Sequence, residues 1–384
     1  MRQSGAGVLA AIILAVPLSA AAQPRCTGTE AYEGSPVHAP PSETDYPAPA
    51  AFDDAAFPAP AAEALKDAFE RAVTANGALS LTAAVWAPGR GFWSARREAD
   101  GVASHPLHSW ASAGKMATAV AILQMADEDR LDLSDPVTRW RPDVPNGQWI
   151  TVRRLLDHTS GLFSANEDPA ARADPRYRNL DEQLEIVRRH GPLFCPGQAW
   201  RYTNTGYALL GSVIEAVDGR SYAEAAMART FGRLGVAEAR ILTPEEAVPD
   251  IQPFGAPPPG EPRLDPSWPG AAGGVAATPQ AMIRLLHGTL SGELLRRETV
   301  RSLLAQPRQM FGAPTWYGQG MMLYDVPAPQ GDLFWIGHSG GAPGVKAVVV
   351  WSPARQAYAA VALTGDGSAE ATANLLLAAL NGGP

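Results

Sequence analysis

Apolar positions recur every three to four residues from Ala61 to Ala75 (Ala61, Leu65, Phe69, Val73) and stop at Asn76-Gly77, which predicts a helix. The period then changes. Leu79–Trp86 and Gly91–Arg97 flank Pro88-Gly89-Arg90, a strand–turn–strand pattern. A long helical run follows from Trp110 to about Asp129. Between roughly 130 and 245 the pattern is helices and loops, including Gly206–Val217, closed by Asp218-Gly219, and Ser221–Arg233. Asp250 to Gly270 is dense in proline and predicts an irregular excursion. Thr278-Pro279 caps a helix running to about His287. Towards the C-terminus, Leu333–Ile336, Val345–Trp351 and Ala357–Thr364 read as strands, with Pro353 in a turn, and Ala369–Leu380 reads as a closing helix.

Strands near both ends with helices between them predict an α+β fold. Its antiparallel sheet is built from both chain ends, and a mostly helical domain is inserted in the middle. On this reading residues 61–108 and 271–384 form the α/β part of a catalytic domain over 61–384, and 109–270 form the insertion. There are no internal repeats. Residues 23–60 are rich in proline and alanine and read as an extended leader, or as a segment that wraps over the domain, tethered by Cys26.

Residues 1–22 read as a secretory signal. Arg2 precedes an apolar stretch from Ala6 to Leu18, and Ala20-Ala21-Ala22 offers small residues for cleavage. That stretch falls short of the ~20 apolar residues that span a bilayer, and Pro17 interrupts it. No second hydrophobic segment follows, so the mature chain is expected to be periplasmic or secreted, without a membrane span. Such a compartment permits a disulfide between the two cysteines, Cys26 and Cys195, although sequence alone does not show that they meet.

Composition removes several classes. A chain that is 46% hydrophobic and 18% charged is an ordinary globular one. Its formal charge is −8 and its basic residues stand in ones and twos, which argues against a nucleic-acid or anionic-membrane surface. The seven histidines are scattered, and no metal-ligand spacing or phosphate-binding loop occurs, so neither metal nor cofactor is expected. Of 31 basic side chains only Lys66, Lys115 and Lys346 are lysines. A step that needs a neutral amine therefore has three candidates, because arginine does not give up its proton.

One of the three stands in Ser112-Ala113-Gly114-Lys115, at the start of the long helical run. Residues three apart on a helix share a face, which sets an amine beside a serine hydroxyl. Burial and the positive helix end disfavour the protonated amine, so Lys115 is a candidate base. A second pattern is Tyr202-Thr203-Asn204, in a loop just before a helix. A phenol near a lysine ammonium would have its pKa lowered and could take a proton from serine, and the asparagine amide could hold both lysine and substrate. The third is Gly337-His338-Ser339-Gly340-Gly341, after a strand. It fits the Gly-x-Ser-x-Gly nucleophile elbow, but that arrangement requires a later histidine and His338 is the last in the chain. The stretch reads instead as a strand-edge loop whose glycines let backbone approach a ligand. His158, in Leu155–Leu162, reads as a structural histidine at a helix end rather than as a general base.

In order, these three motifs resemble the serine β-lactamase and penicillin-binding fold family, in its class C-like branch with D-Ala-D-Ala carboxypeptidases and esterases. Leu155–Leu162, Pro196–Glu215, Ala272–Pro279 and Gly337–Gly344 look like the same branch, so the resemblance spans about residues 61–380. It implies an αβα sandwich, with Ser112 as a nucleophile that forms an acyl-enzyme and Lys115 and Tyr202 sharing base and acid work. Asn204, His338 and Gly340 would bind substrate. The backbone N–H groups of Ser112 and Gly341 would form an oxyanion hole, each donor contributing roughly 3–4 kcal/mol in the transition state. His338 stands where class C β-lactamases carry the lysine of Lys-Thr-Gly, which favours a peptidase or esterase over an efficient β-lactamase. The implied partner is a small-molecule or peptide substrate: a D-amino-acid peptide, an ester or a β-lactam. A class C-like β-lactamase and a catalytically silent cell-wall peptide binder are the alternatives, the latter disfavoured because no motif residue is missing.

Overall fold

The computed structural model describes residues 26–244, 250–255, 264–327 and 333–380. The secretory segment expected over 1–22 lies outside them, as does the middle of the proline-dense excursion.

Eleven strands form two antiparallel sheets among these residues. They are β1 (Ala78–Ala87), β2 (Gly91–Glu98), β3 (His108–Ser109), β4 (Ala239–Ile241), β5 (Val275–Ala277), β6 (Arg308–Gln309), β7 (Thr315–Tyr317), β8 (Met322–Val326), β9 (Leu333–Ala342), β10 (Val345–Ser352) and β11 (Ala357–Gly365). The large sheet runs β2-β1-β11-β10-β9-β8-β7-β6, so the first strands of the chain pair with the last, as expected. The small sheet, β3-β5-β4, sits beside the helical lobe.

Alternation along the strands builds a core on each face of the large sheet. On one face Leu81, Ala83, Val85, Val348, Val350, Val361 and Leu363 pack with Leu65 and Phe69 of the Ala59–Ala75 helix and Leu376 of the Ala369–Ala379 helix. On the other, Ala84, Trp86, Ala347, Val349, Trp351 and Ala360 pack with the Lys115–Asp127 and Pro279–Leu290 helices and with the inserted helices. The result is a helix–sheet–helix sandwich. Because β1, β10 and β11 are covered on both faces, each buried Val or Leu there contributes about 1.5–3 kcal/mol of transfer free energy.

One sequence expectation changes, and three short strands escape it. The strand expected to end at Ile336 continues through the glycine-rich stretch to Ala342, with His338 opposite Val349, Gly340 opposite Ala347 and Gly341 opposite Lys346. Glycine weakens a strand in isolation, but pairing with the valine-rich β10 overrides that preference. Strands β6 to β8 were not legible, being two to five residues long and too short to show a period.

The segment from Cys26 to Pro58 wraps over the domain. Val37 bridges Arg308 and Ala56 bridges Phe92. Trp351 Nε1 donates to the Asp45 carbonyl at 2.8 Å, and Tyr46 is buried. Cys26 and Cys195 are joined as a disulfide, with Cα atoms 5.4 Å apart. Among the described residues no helix is long and apolar enough to cross a membrane.

Candidate active site

Ser112 lies in a 3₁₀ turn, Ala111–Gly114, that leads into the Lys115–Asp127 helix. A 3₁₀ turn has three residues per revolution, so Ser112 and Lys115 fall on one face. Ala111, just before the serine, has φ +42°, a left-handed conformation that costs a residue with a Cβ on the order of 1–2 kcal/mol. Two glycine segments hold the turn there. A Cβ on Gly340 of β9 would stand 2.1 Å from the Trp110 carbonyl oxygen, and one on Gly273 would stand 2.6 Å from that of Ala111. The turn is clamped between the sheet edge and the Ala272-Gly273-Gly274 segment.

The Lys115 side chain is fully buried. Its Nζ donates to Asn204 Oδ1 at 2.7 Å and to the Ala272 carbonyl at 2.6 Å, and lies 3.3 Å from Ser112 Oγ. Burial pushes its pKa well below the ordinary 10.5. A neutral amine suits these contacts: two N–H bonds go to the two carbonyl oxygens, and the lone pair is left for the serine hydroxyl.

Tyr202 approaches from the loop before the Asn204–Asp218 helix, with Lys115 Nζ 4.7 Å from its ring centroid. The expected lowering of its pKa is not found. Burial pushes the phenol above its usual range, and Ser112 nearby offsets this only in part. The physical reason is desolvation, which penalises the buried phenolate by more than the Ser112 contact returns. The Tyr202 hydroxyl is buried without a hydrogen bond of full geometry, so it is held as a neutral phenol.

Asn204 turns its Oδ1 to Lys115 and donates from Nδ2 to Asn166 Oδ1 at 3.1 Å. Ser164 Oγ accepts from the Asn204 N–H at 2.9 Å and donates to Asn166 Oδ1 at 2.7 Å. Beside Asn204 opens a cavity of about 40 Å³, lined by Asn166, Arg178, Gln183, Trp268 and Ala272 among others.

His338 is placed beneath the cleft rather than at its surface. It is fully buried, with Nδ1 at 2.5 Å from the Ser339 carbonyl and Nε2 at 3.1 Å from the Tyr317 hydroxyl. Both ring nitrogens are thus engaged, and burial pushes its pKa down to about 3, so the ring is neutral. Gly341 lies at the exposed edge of β9 with open space where a Cβ would be. Among the described residues no group of three His, Cys, Asp or Glu could hold a metal ion.

The sequence marks His158 as structural, and it is buried, but its position is specific. Its carbonyl accepts from the Arg201 N–H at 3.0 Å, and its Nδ1 accepts from the Thr203 N–H at 3.2 Å, so it grips the backbone on both sides of Tyr202. Its ring centroid is 4.3 Å from that of Tyr202. It does this from φ +61°, one residue beyond the C-cap of the Val152–Leu156 helix. Asn166, Ser164 and the Ala272 carbonyl were also missed. Only Ala272 carried a signal, because it opens the Gly-Gly segment.

A helical lobe on an antiparallel sheet, with Ser-x-x-Lys, Tyr-x-Asn and the β9 glycines around one cleft, defines the β-lactamase and penicillin-binding class of fold. The chain belongs to the Beta-lactamase family, whose model matches residues 65–382. Penicillin-binding protein 4* of Bacillus subtilis (strain 168) is 34% identical over 154 residues, which cover 37% of this chain and 33% of that protein. The teichoic acid D-alanine hydrolase of Staphylococcus aureus is 29% identical over 113 residues, 29% of this chain and 27% of that protein. The chain thus spans about a third or less of the length of these curated relatives. A D-stereospecific amidohydrolase from Streptomyces sp. superposes with a TM-score of 0.70 at 27% identity, over 81% of this chain and 97% of that one.

Proposed function

We propose that the protein is an extracytoplasmic serine hydrolase that works through an acyl-enzyme on Ser112, of D-Ala-D-Ala carboxypeptidase or esterase type. The observation that carries this reading is the buried amine of Lys115, 3.3 Å from Ser112 Oγ with its other contacts on carbonyl oxygens. A base of this kind typically contributes about 10²–10⁴-fold. Ser112 Oγ attacks the substrate carbonyl and its proton passes to Lys115. The oxyanion is met by the N–H groups of Ser112 and Gly341. As the bond to the leaving group breaks, Tyr202 gives its proton to the departing oxygen or nitrogen, and Lys115 restores that proton to Tyr202. Water then cleaves the acyl-enzyme by the reverse sequence. Asn204 orients the acyl part.

The relatives' D-alanine and D-stereospecific activities support an acyl group built on a D-amino acid. The neutral, buried His338 supports the peptidase or esterase reading over a β-lactamase, since no lysine charge stands there for a β-lactam carboxylate. The predicted signal and the Cys26–Cys195 bond support an oxidising, extracytoplasmic address. The test is a turnover panel on the purified protein: short p-nitrophenyl esters, an acyl-D-Ala-D-Ala peptide and a chromogenic cephalosporin, with Ser112→Ala as the blank. Covalent labelling by a serine-directed phosphonate is expected in the wild type and lost in Ser112→Ala. Labelling that persists in the variant overturns the reading, and cephalosporin turnover well above ester turnover replaces it with a β-lactamase.

A further inference from the structure

Phe311 is the most exposed large apolar side chain among the described residues, at 70%. It stands in the loop between β6 and β7, which is closed by hydrogen bonds from the Met310 N–H to the Thr315 carbonyl and from the Ala313 N–H to the Met310 carbonyl. Its φ is +49°, a backbone that suits Gly or Asn and is unfavourable for a bulky ring. The free protein therefore bears both a strained backbone and an unburied aromatic surface at one residue, a combination that marks functional positions.

Its neighbours say what the ring is next to. The Phe311 centroid is 5.6 Å from Trp200, edge-on, and 6.2 Å from Tyr202, while Trp200 and Tyr202 are 6.5 Å apart. The three rings form a shelf that starts at the phenol beside Ser112 and ends in solvent. Asn204, with its cavity, lies towards Ala272 and takes the acyl part. The Tyr202 hydroxyl meets the atom that departs, so whatever is attached to that atom lies along the shelf.

We infer that Trp200 and Phe311 form a leaving-group subsite that accepts an aromatic alcohol or amine. This rests on the acyl-enzyme reading above and narrows its substrate class. Aromatic rings stack on such a shelf in offset or edge-to-face contact. A leaving group that ends in a carboxylate gains nothing there, because none of the three rings carries a charge and the His338 ring beyond Tyr317 is neutral.

The experiment compares the benzyl and ethyl esters of N-acetyl-D-alanine, whose alcohols differ little in intrinsic leaving ability, as kcat/KM on the full chain. The wild type is expected to prefer the benzyl ester by on the order of tenfold. Phe311→Asn, which fits the left-handed backbone and so preserves the loop, is expected to collapse the benzyl-to-ethyl ratio towards one, and Phe311→Trp to retain it. A wild type without the preference, a ratio unchanged in Phe311→Asn, or a fall shared equally by both esters overturns the subsite. A shift of Phe311→Asn to a smaller oligomer with the ratio unchanged also overturns it, and assigns the ring to a contact between copies. Failure of the underlying reading looks different, since Ser112→Ala would then still turn over both esters.

Discussion

Gly340 and Trp110 approach so closely that a Cβ on the glycine would lie 2.1 Å from the tryptophan carbonyl oxygen, and 2.9 Å from the Ser112 nitrogen. At Gly340 the strand meets backbone atoms of the turn that carries Ser112. Gly340→Ala must therefore push them apart by about an ångström, a displacement that can cost about 10²-fold in rate. Overpacking of this kind also costs about 1–3 kcal/mol of stability. The expected outcome is a lower melting temperature and phosphonate labelling slowed on the order of a hundredfold. Gly341→Ala, which meets open space, should leave the melting temperature unchanged. Equal melting behaviour of the two variants would show that the contact yields without strain.

The buried amine makes a prediction about pH. Lys115 has a folded pKa well below its unfolded value of about 10.5, so between the two the unfolded chain binds a proton that the folded chain does not. Stability from this group is fully present above the unfolded pKa and is lost as pH falls towards the folded one. The slope is at most about 1.4 kcal/mol per pH unit. Lys115→Met removes it, so the melting-temperature difference between variant and wild type should drift in the variant's disfavour as pH rises from about 6 to about 9. Acylation should fall in the wild type as pH drops through the lowered pKa. Lys115→Arg, which keeps a charge but no removable proton, should lose acylation by about 10²–10⁴-fold. A full acylation rate in that variant would mean that charge alone suffices.

Ser112 and Lys115 were legible because three-residue spacing survives whether the first turn is 3₁₀ or α. The sheet was legible from the alternation in β1, β10 and β11. What stayed hidden depends on contacts across the fold. The sign of the Tyr202 shift is set by the burial of the phenol itself, which local sequence does not show. The hold of His158 on the backbone around Tyr202 joins residues more than forty positions apart through one carbonyl and one ring nitrogen. Asn166 meets Asn204 only because the loop after His158 folds back over the helix start. Glycines in Gly337–Gly341 suggested a loop because propensity ignores the β10 ladder that pairs them.

The grip of His158 can be tested apart from its packing. Only the side chain supplies the Nδ1 acceptor for the Thr203 N–H, whereas the carbonyl contact to Arg201 remains in any variant. His158→Asn keeps a side chain at ease with φ +61° and offers an amide oxygen that is shorter and differently placed. The expected result is a fall in kcat of about ten- to a hundredfold with KM little changed, because the proposed mechanism has Tyr202 act on the leaving group rather than in binding. His158→Ala should fall further and also lose stability. If His158→Asn instead raises KM and leaves kcat intact, the histidine shapes the substrate cleft and does not position Tyr202.

The disulfide closes a separation of 169 residues and ties the wrapping segment to the loop that carries Tyr202. In the chain-entropy view a closed loop of ~100 residues already stabilises by about 4.7 kcal/mol, and measured values run about 2–4. Cys26→Ser should therefore lower the melting temperature by several degrees and abolish the effect of added reductant, which lowers it in the wild type. Lys115 is held by Ser112, Asn204 and the Ala272 carbonyl, none of which lies in the wrapping segment. Labelling of Ser112 well below the transition should accordingly persist in Cys26→Ser. A melting temperature equal to that of the wild type, with and without reductant, would show that the two sulfurs are not bonded in the folded protein.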